Sequence, residues 1–392
     1  MDRETNRSVK ILLVVHSVAW KGGGAFFHAL HIAKSLHRQG VSVEIMCTSV
    51  SSKFRVIKKE VQGVRLIEFP DLLWGQARNG WDFFNTLRRI IFLVKNNYDI
   101  VHLLDTRPVV IFPGLFAKFL KKSKLVIEWL DWFGRGGTAS ERKTIIRFFM
   151  EPIETFFEEK FRRFADASIG LGQPLAERAK EFAPNVPLFT MVHGCDTEVI
   201  KEYNKIEVRK ELGLNKHVNY IGYTGRMRED VIIRLRELVK ELENTKVVLI
   251  GNSVLNVDKY LTDEEKSLFI KTGWIDYVLV NKYMSACDVL ILPFDSNSVA
   301  RNGIWPSKIN DYLSVGRPIV STKLEVLSEI FEKKIGIMTE DNVKEIAKAC
   351  KLLFEDENLA KSCGHNARAL AEQEYNWNYI SNKLYNFYIE LL

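Results

Sequence analysis

The apolar run Lys10-Ile-Leu-Leu-Val-Val-His16 predicts a buried strand, and a glycine-rich loop, Lys21-Gly22-Gly23-Gly24, follows it. Phe26, Leu30, Ala33 and Leu36 then recur at helical spacing over 25–39. Gly40 ends that pattern and 41–46 predicts the next strand. This β-loop-α-β unit opens a parallel α/β domain. The alternation continues with strands at 64–69, 99–104, 124–129, 167–171 and 188–192, and with helices at 81–96, 109–121 and about 140–165. It restarts with a strand at 219–224, a helix at 230–242, strands at 246–251 and 288–293, a helix at 307–314 and a strand at 318–321. From residue 343 the tail is helical. Two βα arrays joined near 195–215 predict two Rossmann-like domains facing each other, with ligands at the carboxyl ends of their strands.

Composition narrows the class without naming the chemistry. The chain has 392 residues, 46% hydrophobic and 27% charged, which excludes disordered and collagen-like proteins and leaves room for two cores. The net charge of +7 is spread along the chain without a dense basic stripe, so a nucleic-acid partner is not expected. The excess permits an anionic ligand or a membrane surface. Five scattered cysteines, with no CxxC, argue against a disulfide framework and for a cytoplasmic protein. The first nine residues are polar, so no signal peptide is expected, and no apolar run reaches the ~20 residues that span a bilayer.

Several strings carry candidate chemistry. Gly22, Gly23 and Gly24 precede a helix and suit close approach to an anion, but the third glycine of a dinucleotide fingerprint falls on Phe27. A permissive turn is the plainer reading. Gly225-Arg226-Met227-Arg228 ends the strand that opens the second half, where Arg226 can clamp a phosphate. The most informative string is Asn302-Gly303-Ile304-Trp305-Pro306-Ser307-Lys308-Ile309-Asn310-Asp311-Tyr312-Leu313. Pro306 and Ser307 start a helix, Lys308 stands in its first turn, and Asp311 lies three residues on along the same face. A diphosphate over the helix start and a ribose or sugar diol on Asp311 use all of them; a structural Lys–Asp pair uses fewer. Trp274 and Ile275 are candidates for a nucleobase wall, with simple packing as the alternative. Asp131 follows a strand of the first half and is placed to orient or deprotonate a hydroxyl, unless it caps a helix or pairs with Arg135. Gly136 and Gly137 beside it suggest a loop that moves. No D-x-D occurs, and His28 and His31 fit a packed helix face better than a metal site, so no metal is expected. The stretch 109–124 and Arg88-Arg89 before 90–94 mix apolar and basic residues that suit an anionic bilayer or, more plainly, core packing.

The string Pro306-Ser-Lys-Ile-Asn-Asp-Tyr-Leu-Ser-Val-Gly-Arg-Pro-Ile-Val320 resembles the donor-binding segment of glycosyltransferase family 4, the retaining enzymes of GT-B fold. Other strings agree in order along almost the whole chain. Gly22-Gly23 is similar to the family's N-terminal glycine loop and Ala165-Asp-Ala167 to its A-D-A-V strand entry. His193-Gly-Cys-Asp196 resembles its N-G-V-D turn, Gly225-Arg226 its phosphate clamp, Ala286–Pro293 its A-D-V-x-x-x-P, and Trp377 the start of its closing helix. Three positions depart from the pattern. The family's lysine five residues after the clamp is Val231, the first acid of E-x7-E is Gly303 while the second is Asp311, and His193 replaces Asn.

The resemblance implies a GT-B protein with an acceptor-binding domain over 1–200 plus a C-terminal helix, 376–392, that crosses back to it. It implies a nucleotide-sugar-binding domain over 201–375. It further implies a retaining, metal-independent transfer from a nucleoside-diphosphate sugar to a glycan or lipid-linked acceptor, with no cofactor. Arg226, Lys308 and Asp131 are the expected catalytic groups. Gly23, Gly24, His193, Arg228, Trp274, Ile275, Asn302, Gly303, Ile304, Ser307 and Asp311 are the expected donor contacts. The enzyme is expected in the cytoplasm, in reach of the inner membrane face for peripheral contact. The alternatives are a non-catalytic nucleotide-sugar-binding protein, or another GT-B enzyme such as an epimerase or phosphorylase.

Overall fold

Strands rich in Val, Ile and Leu are buried on both faces when helices cover each side of a parallel sheet. A computed structural model of the chain describes residues 9–20, 24–72, 80–137, 140, 144–252, 255–296 and 305–392, and it shows this arrangement twice. One compact unit contains the described residues up to His193 together with Trp377–Leu392, and the other those from Gly194 to Asn376.

The first unit holds strands β1 (Lys10–Val18), β2 (Ser42–Thr48), β3 (Ile57–Val61), β4 (Val64–Phe69), β5 (Ile100–Leu103), β6 (Lys124–Trp129), β7 (Ala167–Leu171) and β8 (Leu188–Met191). They form one sheet in the order β3-β4-β2-β1-β5-β6-β7-β8. All pairs are parallel except β3 with β4, an antiparallel edge hairpin that the polar Lys58–Lys59–Glu60 stretch hid from the hydrophobic pattern. Its helices are α1 (Gly24–Arg38), α2 (Phe83–Lys95), α3 (Pro108–Lys121), α4 (Thr144–Lys160) and α5 (Gln173–Phe182). The predicted helix over 140–165 is α4 followed by a short 3-10 turn, Arg162–Phe164.

Arg89 of α2 is not the surface cation that the string Arg88-Arg89 suggests. It is fully buried and donates to Asn85 Oδ1 at 2.7 Å, to the carbonyls of Val15 (2.9 Å) and Val109 (3.1 Å), and to Thr48 Oγ1 at 3.1 Å. Burial lowers its pKa to about 10, so it remains charged.

The second unit holds β9 (Asn219–Thr224), β10 (Thr245–Ile250), β11 (Phe269–Lys271), β12 (Val289–Leu292), β13 (Ile319–Thr322) and β14 (Gly336–Thr339). Their order is β11-β10-β9-β12-β13-β14 and every pair is parallel. Its helices are α6 (Lys205–Glu211), α7 (Glu229–Lys240), α8 (Asp263–Lys266), α9 (Tyr277–Ala286), α10 (Lys308–Val315), α11 (Ser328–Glu332), α12 (Val343–Glu355) and α13 (Glu357–Gln373). Val231, where the family pattern has a lysine, is fully buried in α7.

The last helix, α14 (Trp377–Leu391), returns to the first unit. It buries Trp377, Ile380, Leu384 and Tyr388, each worth about 1.5–3 kcal/mol of transfer free energy. His31 stacks on Trp377 at 5.1 Å, and Ser35 Oγ donates to Asn378 Oδ1 at 2.9 Å.

Strand order reverses direction once in each sheet, between β1 and β5 and between β9 and β12. The carboxyl ends beside such a switch point open a crevice that ligands occupy in α/β sheets.

Candidate functional site

In the second unit β9 ends at Gly225, whose φ of +89° allows the sharp turn out of the sheet. A Cβ here would approach Lys308 Cε to 3.2 Å and Nζ to 3.5 Å, so the lysine lies over the bare backbone. Lys308 opens α10 and reaches across the switch point, with Nζ 5.1 Å from the Tyr223 ring centre and 5.5 Å from that of Phe294. It makes no ion pair or hydrogen bond among the described residues. Burial is the main reason its pKa is pushed down to about 8, with Asp311 opposing and Arg228 reinforcing the shift. Arg226 and Arg228 are exposed on the following loop, and Arg228 pairs with Asp230 at 3.0 Å. Three cations therefore border one strand end, and among the described residues Arg228 alone of them has a carboxylate partner.

Asp311 sits one turn further along α10. Tyr277 donates its hydroxyl to Asp311 Oδ1 at 3.0 Å. Burial pushes the Asp311 carboxyl up to about 6, and the Tyr277 hydrogen bond and, less, Lys308 partly offset this. The helix itself is pinned from below: Tyr312 Oη accepts from the Thr224 backbone N–H at 3.1 Å. Asn310 accepts from Trp305 Nε1 at 3.1 Å and donates to the Gly194 carbonyl at 3.1 Å. Ser307 occupies the position before α10, but its side chain caps nothing. Trp274 is 79% exposed on the loop after β11, and Ile275 beside it is half-buried.

The first unit presents a different chemistry at its switch point. Arg107 donates to His16 Nε2 at 2.5 Å, and His16 Nδ1 donates to Asp105 Oδ2 at 2.5 Å. The Arg107 backbone N–H closes the ring on Asp105 Oδ1 at 2.8 Å. Burial and Arg107 lower the His16 pKa, which keeps the imidazole neutral, whereas His16 and Arg107 hold Asp105 ionised. Asp131 lies beyond the end of β6 and makes no ion pair or hydrogen bond among the described residues. Burial pushes its carboxyl up to about 6, with Arg107 opposing and Glu158 adding to the shift.

The described part of the loop carrying Asp131 makes several contacts. Glu158 accepts from the N–H groups of Phe133 (3.0 Å) and Gly134 (2.8 Å), and the Arg178 guanidinium stacks 3.7 Å from the Trp132 ring. Gly137 packs on Trp132 so closely that a Cβ would lie 2.1 Å from the Trp132 carbonyl oxygen. Both paired glycines therefore pack closely on Trp132. Arg135 pairs with Glu151 at 3.5 Å and leaves Asp131 alone.

His193 belongs to the first unit. Its Nδ1 lies 2.8 Å from His28 Nδ1, and His28 Nε2 lies 2.9 Å from Glu128 Oε1. His102 Nε2 approaches Glu128 Oε2 at 3.1 Å, too bent for a full hydrogen bond, and His102 Nδ1 meets Tyr388 Oη at 2.6 Å. The two histidines hold the Glu128 carboxyl far below its usual range despite burial. Burial pushes His193 down to about 3, so it is neutral. His28 is thereby a structural ligand of Glu128, and no cluster of three metal-binding side chains occurs among the described residues.

The structure brings Lys308, Asp311 and Arg228 together and places Arg226 on the same loop. Gly24 is the first residue of α1. Gly23, Asn302, Gly303 and Ile304 lie outside the described residues. Sequence reasoning missed Tyr277, His16, Asp105 and Arg107. Only the placement of Asp105 and Arg107 directly after a buried strand hinted at the last two.

Comparison with known proteins accounts for both units. Residues 22–199 match the model "Glycosyltransferase Family 4" and residues 204–370 match "Glycosyl transferases group 1". Chitobiosyldiphosphodolichol beta-mannosyltransferase of Candida albicans is 23% identical over 308 residues, 72% of this chain and 65% of that protein. The chain covers less than two thirds of the length of the curated relatives it matches. Sucrose-phosphate synthase of Thermosynechococcus elongatus shares the fold with a TM-score of 0.73 at 16% identity, over 98% of this chain and 99% of that one. HepE of Anabaena, solved with UDP and glucose, does so with a TM-score of 0.69 at 15% identity, over 97% and 100%. With both halves matched in order and both sheets of the required topology, the chain belongs to the family 4 glycosyltransferases of GT-B fold.

Proposed function

We propose that this protein is a retaining glycosyltransferase that moves a sugar from a nucleoside-diphosphate sugar to a hydroxyl of a glycan or lipid-linked acceptor, without a metal ion or cofactor. The observation that carries this reading is Lys308, a cation held over a bare strand end at the switch point with no ion-pair or hydrogen-bond partner among the described residues. A half-buried charge without an ion-pair partner costs free energy that an anionic ligand relieves. A diphosphate is the anion that fits, because Arg226 and Arg228 border the same loop and the first-turn amides of α10 add the positive end of a helix dipole.

The donor chemistry follows from charge. As the anomeric C–O bond breaks, negative charge grows on the departing diphosphate, and Lys308 with Arg226 stabilises it. The pair Tyr277–Asp311 offers an acceptor oxygen to a ribose or sugar diol. Asp131 orients the acceptor hydroxyl, which attacks the face that the leaving group vacates while a departing phosphate oxygen takes the proton. That the Anabaena neighbour holds UDP and glucose supports a nucleotide-sugar donor. The name of the Candida relative supports a lipid-linked acceptor.

A thermal-shift panel of UDP, GDP, ADP and their sugar conjugates tests this. A ligand of the native state stabilises it by about 2.7 kcal/mol at a hundredfold excess over Kd. One nucleotide family should shift the wild type and leave Lys308→Ala unmoved. No shift by any nucleotide at millimolar concentration would sink the assignment.

A further inference from the structure

Lys308 and Asp311 stand three residues apart in the first turn of α10, on one face of the helix. Opposite charges at that spacing ordinarily pair. These two make no ion pair among the described residues, and each is drawn another way. Lys308 Nζ lies toward β9, over the bare backbone of Gly225 and within cation–π reach of the Tyr223 and Phe294 rings. Asp311 is engaged from α9, where the Tyr277 hydroxyl donates to its Oδ1 at 3.0 Å.

Tyr277 is well placed to hold the carboxylate. It opens α9, and Asp276 caps that helix start by accepting from the Leu279 N–H at 2.9 Å. Tyr277 is itself 44% exposed, so its ring fills no core and what the residue adds is the hydroxyl. The tyrosine and the lysine thus compete for one carboxylate. Asp311 has a single methylene as its tether, and the cation that acts on it is Lys308. A pair formed between them would neutralise the charge that a diphosphate needs.

The neighbouring charges favour that pairing once the hydroxyl is gone. Tyr223 and Arg228 border Lys308 from β9 and the loop after it, and Asp196, Cys195 and Tyr277 border Asp311. Arg228 repels the lysine and Asp196 repels the carboxylate, so bringing the two together relieves both repulsions.

We propose that Tyr277 is a positioning residue of the donor site: its hydroxyl holds the Asp311 carboxylate away from Lys308 and so keeps the lysine open for the diphosphate. The role rests on the reading of Lys308 as the diphosphate cation, whereas the side-chain geometry behind it does not.

Two measurements test this. One is the titration of the Lys308 ammonium, read by NMR of lysine-labelled protein and assigned by its loss in Lys308→Arg. The other is the binding of inorganic pyrophosphate at neutral pH, which reads the cation without any ribose contact to Asp311. Tyr277→Phe should raise the Lys308 titration by about one pH unit and weaken pyrophosphate about fivefold. Adding Asp311→Asn to Tyr277→Phe should return the titration to its wild-type value or lower and restore the binding, because an amide does not pair with the lysine. A tyrosine that only supports the fold would weaken binding without moving the titration, and Asp311→Asn would not rescue it. The proposal is overturned if Lys308 titrates in Tyr277→Phe as in the wild type, or if the double variant binds no better than the single one. Should pyrophosphate fail to bind the wild type while the titration moves and returns as expected, Tyr277 keeps its hold on Asp311 and the diphosphate site is what falls.

Discussion

The two switch points differ in where their charge is left open. In the first unit, Arg107, His16 and Asp105 hydrogen-bond to one another, and the carboxylate Asp131 has no ion-pair or hydrogen-bond partner among the described residues. In the second, the same holds of the cation Lys308, with Arg226 and Arg228 near it. A closed polar ring rigidifies its surroundings, whereas an open charge is held at a cost in stability that only a ligand relieves. On the proposed function, the first crevice takes a neutral hydroxyl at its carboxylate and the second a diphosphate at its cations.

The sharpest break is Lys308→Ala. Removing a charge aimed at the leaving group should lower kcat by about 10²–10³-fold, read in a donor-hydrolysis or transfer assay. Lys308→Arg should restore part of it, since the charge returns on a longer arm. Asp131→Asn should cost about 10²-fold in transfer while raising stability by about 1–3 kcal/mol in urea. The stability gain has a sign that can be checked. The folded Asp131 titrates near 6 and the unfolded one at its usual 3.8, so the folded state binds more protons between them. Its unfavourable contribution therefore grows as pH rises from 3.8 to about 6 and is full at neutral pH. An Asn variant as unstable as the wild type, or more so, would show that Asp131 is a structural residue.

Glu128→Gln tests whether the first unit's histidine chain is scaffold. It leaves His28 or His102 facing an amide instead of a carboxylate, and should cost about 2–4 kcal/mol of stability without moving the nucleotide thermal shift. The pH dependence of donor binding should be gentler. Nucleotide affinity should fall by about tenfold per pH unit at most once pH exceeds about 8, where Lys308 loses its proton, and Lys308→Arg should flatten that fall. Over the same range the stability of the free protein should rise, because the unfolded lysine still holds its proton up to 10.5. The smallest effect is expected for Trp274→Ala, about 1 kcal/mol in nucleotide affinity, because a ring 79% exposed has little packing to lose on its own.

The local grammar of the chain carried much of this. Glycine at the end of β9, Pro306-Ser307 before α10 and the Lys308–Asp311 spacing are all set within a few residues, and periodicity places them on a strand end and a helix start. Elements with weak or mixed periodicity escaped. Helix α9, Tyr-Val-Leu-Val-Asn-Lys, has the β-branched residues of a strand, and α5 is short and polar. With α9 unread, the hydroxyl of Tyr277 on Asp311 was out of reach, 34 residues away in sequence.

By itself, then, the sequence determined two parallel α/β arrays, the strand end and helix start that hold Lys308, and the placement of Asp131 after a buried strand. Spacing and turn chemistry act over a few residues, and such features are written there. Tertiary structure alone decided which charges are satisfied. His16 and Asp105 are 89 residues apart, and His102 and Tyr388 are 286 apart. It also turned the apolar stripe of α2 (Leu87, Ile91 and Val94) outward, because Arg89 found carbonyl partners inside the unit. A hydrophobic pattern shows that a helix has two faces. Which face is buried depends on the hydrogen-bond partners that the rest of the fold brings to it.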